Sequence, residues 1–278
     1  MAKPATALSI IKQSRKDLNS LKSIRATLDE TVSFGPKRFR ATGTYVQGTE
    51  LKLKLEYTLS LGGSKGTLIE VCDGQVLWAQ QTIDKDIQLT RRDVRQILEV
   101  AKSLPRKDSV MLHTELGLGG LPALLASLEQ SMTFKPGPDE TLENRHFTVL
   151  EGRWNKEYQQ LWTGGSRDSK TVLPPYIPDR VRVYMEQVPH QDRTIHFPTR
   201  IIYLKKTDPE KATFRPLVTL QFNDIVLDGA VSDDEFQFDH PEGVIPEDVT
   251  QAYIQQLKPQ QPSAAPSATN PAKTPKAP

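Results

Sequence analysis

The sequence predicts an α+β fold, a curved antiparallel sheet with helices covering its concave face. Three observations point there. Leu51, Leu53, Leu55, Tyr57, Leu59 and Leu61 alternate with Lys52, Lys54, Glu56, Thr58 and Ser60, which is the period of a strand with one dry face and one wet face. Apolar residues recur at spacings of three, four and seven at the start of the chain and in its middle third, which is the period of helices. No strand-helix-strand alternation suggests a parallel sheet. A long, twisted antiparallel sheet with helices on one face is expected to curl and to leave a ligand-sized space between the layers.

The elements follow in order. Leu8, Ile11, Leu18, Leu21 and Ile24, with Ile10 beside them, predict a helix from Ala5 to about Leu28. From Lys37, Phe39, Ala41, Gly43 and Tyr45 alternate with polar residues, giving a first strand that turns through Gln47-Gly48-Thr49 into the Leu51 to Leu61 strand. Gly62-Gly63-Ser64 marks the next turn, Lys65 to Cys72 a third strand, Asp73-Gly74 a two-residue turn, and Gln75 to Thr82 a fourth strand of the meander. Val94, Ile97, Leu98 and Ala101 predict a helix over Arg91–Leu104, and Leu121, Leu124, Leu125, Leu128 and Met132 predict another. Strands resume at Arg145–Trp154, Arg180–Val188, Arg200–Lys206, Arg215–Leu227 and Glu235–Asp239. Beyond Leu257, Pro fills six of the last twenty positions and no large apolar side chain occurs, so 258–278 reads as a disordered tail.

Composition narrows the function. The 278 residues suit one large domain or two small ones. With 36 Lys and Arg against 34 Asp and Glu, the formal charge of +2 supplies no global field for nucleic acid, which is not an expected partner. One cysteine, Cys72, excludes an intramolecular disulfide and a Cys-based zinc cluster. The longest uncharged stretch ahead of the tail, Leu116 to Leu128, is too short and too rich in Gly and Pro to cross a bilayer. The N-terminus lacks a secretory signal's apolar run, which read literally means cytoplasmic, although a chain starting after a removed signal looks the same.

No residue pattern supports catalysis, a metal or another cofactor. His113, His146, His190, His196 and His240 never take a helical metal-pair spacing, and His190 and His196 read as exposed loop residues. Gly164-Gly165-Ser166 is no nucleophile elbow. Gly62–Gly66 and Gly117–Gly120 fit no phosphate-binding loop and read as a hairpin and a helix entry. Asp233-Asp234-Glu235 with Asp239 lacks calcium-loop spacing and reads as a solvated acidic turn. Arg91, Arg92 and Arg95 form a basic helix start, opposed to the helix dipole, that reads as a solvated helical face, with pairing to Asp93 or contact with a partner's anionic group as the alternative. What remains is the leucine stripe, which must be covered. Covered completely by helices it is core; covered as by a lid it lines an apolar cavity.

Two local patterns bear on that choice. Asp73-Gly74-Gln75-Val76-Leu77-Trp78 resembles a hairpin of the LolA-like and LolB-like periplasmic lipoprotein carriers, and Phe236-Gln237-Phe238-Asp239-His240-Pro241-Glu242-Gly243-Val244 resembles that family's closing strand and turn. The order of elements agrees over about residues 5–257, while the stretch from about Arg91 to Phe134 and the tail are additional. The resemblance implies a single half-barrel domain over 1–257, open on one side, that holds a lipid, lipoprotein acyl chains or another hydrophobic ligand in the periplasm or cell envelope. It implies no enzymatic step, and a membrane-protein donor or acceptor as partner. The expected lining is Tyr45, Leu51, Leu53, Leu55, Tyr57, Val76 and Trp78 from the strands and Leu121, Leu124, Leu125 and Leu128 from the helix. Asp73, Gly74, Pro241 and Gly243 are expected to shape turns. The alternative is a structural or protein-interaction module with a filled core.

Overall fold

The computed structural model describes residues 6–61, 64–103, 120–162, 173–208 and 211–257. The expected turn at Gly62-Gly63, Gly117–Gly119, Gly164-Gly165-Ser166, His113 and the Pro-rich tail lie outside them. Helix α1 spans Ala7–Asn19, and the Thr6 hydroxyl caps it by accepting the Ser9 N–H at 3.1 Å. The helix does not run on to Leu28; Ile24–Phe34 is strand β1. Ile24 and Leu28 fit either period, but Ile24, Ala26 and Leu28 are all buried and β-branched Thr27, Thr31 and Val32 favour extended backbone.

A meander follows through β2 (Lys37–Gln47), β3 (Lys52–Leu61), β4 (Ser64–Asp73), β5 (Val76–Ile83) and β6 (Asp86–Asp93). The β4–β5 turn is made as expected: Asp73 Oδ1 accepts the N–H groups of Gln75 and Val76 at 2.7 and 2.8 Å, and Gly74 takes φ +93°. Strand β6 was not expected, and it takes Arg91 and Arg92 out of the helix that follows. Helix α2 (Val94–Ala101) starts at Val94 because Asp93 caps it, accepting from the Gln96 N–H at 2.9 Å. The second half comprises α3 (Gly120–Ser131), β7 (Met132–Pro136), β8 (Glu140–Leu142), β9 (Arg145–Trp154), α4 (Lys156–Trp162), β10 (Arg180–His190), β11 (Arg193–Lys206), β12 (Phe214–Leu227), β13 (Glu247–Asp248) and α5 (Thr250–Leu257). Residues expected as a strand at Glu235–Asp239 begin instead in a 3-10 turn, Asp233–Phe236, whose acidic side chains pair with Lys52 and Arg25.

The strands join in one 13-stranded sheet of order β13-β6-β5-β4-β3-β2-β1-β12-β11-β10-β9-β7, with β8 beside β9. This corrects the expected curved antiparallel half-barrel. The sheet is mixed, since β13 pairs with β6 in parallel, and it is open, with the short strands β13 and β7 at opposite ends of the path. The physical reason lies in the ladders. Strong curling needs staggered register and bulges, whereas β2 to β6 pair in step, and the shifts occur at Arg25/Thr27, Tyr184/Met185 and Tyr203/Leu204.

One face of this sheet carries the main core. Ile24, Ala26 and Leu28 of β1, Tyr45 of β2, Leu53 and Tyr57 of β3, Cys72, Leu77, Ile201 and Val183 share a single apolar cluster with Ile11 and Leu18 of α1, Ile97 of α2 and Leu121, Leu125 and Leu128 of α3. Among the described residues, α1 and α3 pack on each other and against β7 and β11, while α2 and α5 pack on each other and against β5 and β6. No described helix is long and apolar enough to cross a membrane.

Candidate functional site

The helix-bearing face between those two helical groups is the candidate site. Register fixes which side chains reach it. Leu55 pairs with Tyr45 on one side and Glu70 on the other, Tyr57 with Gly43 and Leu68, Leu59 with Ala41 and Gly66, and Glu30 with Ala41 and Leu220. Directly opposed residues share a face, so a continuous band runs from Leu68 and Glu70 across β3, β2 and β1 to Leu220 and Tyr203. Leu55, Leu59, Leu68, Leu220 and Tyr203 are only half-buried while packing against the sealed core.

Of the residues expected as lining, Tyr45, Leu53, Tyr57, Leu121, Leu125 and Leu128 are fully buried, and Leu51, Leu55 and Leu124 pack partly buried on the same cluster. Helix α3 is fixed over β2 through Tyr45, whose hydroxyl accepts the Leu121 N–H at 2.9 Å and bonds Gln47. The approach is so close that a Cβ on Gly120, which adopts φ +53°, would sit 2.0 Å from that hydroxyl. Leu51, at φ +67°, is in the β2–β3 turn rather than the strand.

Val76 and Trp78 do not join the others. Buried Cys72 pairs with Leu77, so Leu77 takes the core face and its neighbours take the opposite one. There Trp78 stacks on Phe238 at 5.5 Å and 10°, meets His240 edge-on at 4.2 Å, and lies under the Arg91 guanidinium at 5.7 Å. The two sequence patterns thus meet each other: the hairpin tryptophan is the platform on which the closing segment docks, and Gly243 at φ +76° turns the chain after Pro241. Arg92 lies over Tyr253 at 5.1 Å, and Arg91 pairs with Asp248, so neither arginine pairs with the capping Asp93. His190 is no exposed loop residue; its ring bonds Asp228 at 3.0 Å with its side chain 9% exposed.

Two carboxylates, Glu30 and Glu70, share the band, and no sequence pattern marks them. Desolvation raises Glu30 above the usual glutamate range, opposed by the Tyr57 hydroxyl facing it; desolvation also raises Glu70, opposed by the charge of Arg92. The same burial pushes Tyr203 up to about 12, with the Glu30 charge adding to it, and drives Tyr57 further still. Glu30 lay in the segment read as helix, and Glu70 interrupts an otherwise apolar strand; only its pairing with Leu55 shows which way it faces. Burial pushes the Cys72 thiol up to about 11, which keeps it protonated and unreactive at neutral pH. Among the described residues, no three His, Cys, Asp or Glu side chains gather as a metal site. The band can hold apolar matter and donate or accept a few hydrogen bonds through Glu30, Glu70 and the tyrosines.

No protein-family model matches the sequence, and no curated protein sequence matches it. Solved structures do match in layout. An uncharacterized conserved protein from Thermus thermophilus is 9% identical with a TM-score of 0.45, covering 87% of this chain and 98% of its own. The Mycobacterium tuberculosis lipoprotein LppX is 12% identical with a TM-score of 0.43, over 84% of this chain and 100% of its own. A LolA superfamily protein from Nitrosomonas europaea is 12% identical with a TM-score of 0.35, over 84% of this chain and 98% of its own.

Proposed function

We propose that this chain is a non-catalytic binding or carrier protein of the cell envelope that seats a lipid or acyl chain on the helix-bearing face of its open sheet, between the two helical groups. The observation that carries this reading is the half-buried band of Leu55, Leu59, Leu68, Leu220 and Tyr203, bordered by sealed core. Each acyl CH₂ laid on such a surface contributes about 0.8 kcal/mol when fully desolvated, so a short stretch of chain gives useful affinity with no specific polar contact. The sequence resemblance to periplasmic carriers supports the class of ligand and the compartment, and a membrane-protein donor or acceptor is the partner it suggests. The whole of residues 1–257 is proposed to act as one carrier domain.

A second reading, an interaction module with a filled interior, draws on the complete burial of Leu121, Leu125 and Leu128 where α3 packs on the core. Displacement of a fluorescent fatty acid separates the two. The carrier reading expects saturable binding that Leu55→Arg abolishes in a folded protein, because Leu55 is half-buried and its replacement can reach solvent. Leu53, at 4% exposure, serves as the contrast: Leu53→Arg buries an unpaired charge and should unfold the chain. Absence of saturable binding by the unsubstituted protein would favour the filled module.

A further inference from the structure

The opposite face of the sheet carries a second apolar cluster of Phe147, Val149 and Tyr184, with Leu142 and Ile202 against it. Beside it opens a cleft of about 190 Å³ lined by Phe147, Tyr184 and Leu142 of this group, by Arg200 and by the core residue Phe222. At about 30 Å³ per water it has room for about six waters, below the several hundred cubic ångströms usual for drug-sized ligands and far too little for a fatty acid. Its occupant is therefore of a different size class from the ligand of the helix-bearing face.

The charges in the cleft are unequal in their commitments. Arg145 is held by Glu186 through its Nε at 2.8 Å and through a second guanidinium nitrogen, so that pair is internally neutral. Thr199 donates its hydroxyl to the Tyr184 carbonyl oxygen at 3.3 Å, and the Gln221 amide donates to Asn223 at 3.0 Å. Arg200 is different. Its guanidinium lies over the Tyr184 ring at 5.6 Å, its Nε is buried with no hydrogen-bond partner, and among the described residues no carboxylate lies within ion-pair distance of it. The Nε is sealed from solvent, so what a ligand can reach is the rest of the guanidinium fork, whose planar geometry matches a carboxylate. The opposing charge on the rim is Glu143, exposed at the β8–β9 turn with φ +50° and acting on Arg145.

We infer that this cleft binds a small organic monocarboxylate with a flat apolar body, the carboxylate on Arg200 and the body against Phe147, Tyr184 and Leu142. The site is separate from the proposed lipid seat, because Tyr184 and Arg200 alternate in their strands with core-facing Val183 and Ile201.

Phenylacetate is a suitable probe and phenylacetamide its neutral counterpart, titrated into isotopically labelled full-length protein with amide shifts as the readout. The expected result is saturable shifts centred on residues 184, 199–201 and 221–222 with phenylacetate, and at least tenfold weaker binding of phenylacetamide. Arg200→Gln should weaken phenylacetate tenfold or more, and Glu143→Gln should tighten it. Leu55→Arg should leave it unchanged, so failure of the lipid reading and failure of this one are distinguishable. Equal binding of acid and amide, shifts centred elsewhere, or no saturable shift would overturn the inference, and the acid-amide comparison decides the matter even if Arg200→Gln does not fold.

Discussion

Lys205 offers the sharpest test of how the second half of the sheet is held together. Its ammonium group is buried, with the side chain 8% exposed, and donates to the carbonyl oxygens of Leu173, Pro174 and Ile177 at 3.0, 3.0 and 2.9 Å and to Asp179 at 3.3 Å. These bonds gather the chain entering β10 onto β11. Lys205→Met keeps the aliphatic stem but leaves three carbonyls and one carboxylate oxygen without their donor. Asp179 retains the Lys206 N–H at 2.7 Å and is a quarter exposed, so most of the loss falls on the carbonyls. At about 1 kcal/mol or more for each orphaned buried acceptor, with a discounted contribution from the carboxylate, the expected destabilisation is about 3–5 kcal/mol. Urea unfolding should show the midpoint falling by about 1–2.5 M at a slope of about 2–3 kcal/mol per molar. Lys205→Arg should recover little, because a planar fork cannot point donors at three convergent carbonyls. A loss below about 1 kcal/mol in Lys205→Met would refute the claim that this cage organises the segment.

Further expectations concern pH and the docked segment. Glu30 and Glu70 have raised folded-state values, so the folded protein binds protons more tightly than the unfolded chain; the stability they contribute is complete below the unfolded value of 4.5 and is lost as pH rises through their folded values. Glu30→Gln and Glu70→Gln should each flatten the fall in urea stability above pH 4.5, and an unchanged slope in the double variant would contradict the desolvation argument. Trp78→Ala removes two ring contacts and one cation-ring contact, worth about 2–3 kcal/mol together. Hydrogen exchange over 236–244 should accelerate while fatty-acid binding is retained, since Trp78 faces away from the band; loss of binding with the exchange pattern intact would place it in the site after all.

What could be read from the sequence depended on whether a strand's two faces differ. Strand β3 was legible because its leucines face the core and its lysines face outward, so period two stands out. Val76-Leu77-Trp78 is apolar throughout because both faces are covered there, by core on one side and by Phe238 and His240 on the other, and the pattern is silent about which residue points where. Only the pairing of Cys72 with Leu77 resolves it. Strand β1 was hidden because Ile24 and Leu28 satisfy helical and strand spacings together, and with it the inward Glu30. The 236–240 segment has a strand's alternation, but its two phenylalanines dock on side chains and not on a neighbouring ladder. Curvature was illegible for a different reason: alternation fixes which face is dry, whereas bending depends on bulges and stagger that arise only when strands are paired. Arg200 carries no local signal at all, since its lack of a partner emerges from the positions of β9, β10 and β12 around it.

If an acyl chain lies on the helix-bearing face between the two helical groups, a crystal structure of the full chain with a saturated fatty acid will show continuous ligand density along Leu55, Leu59, Leu68 and Leu220. Density confined to another surface, or side chains of the band closed on one another with no ligand present at saturating concentration, would rule that seat out.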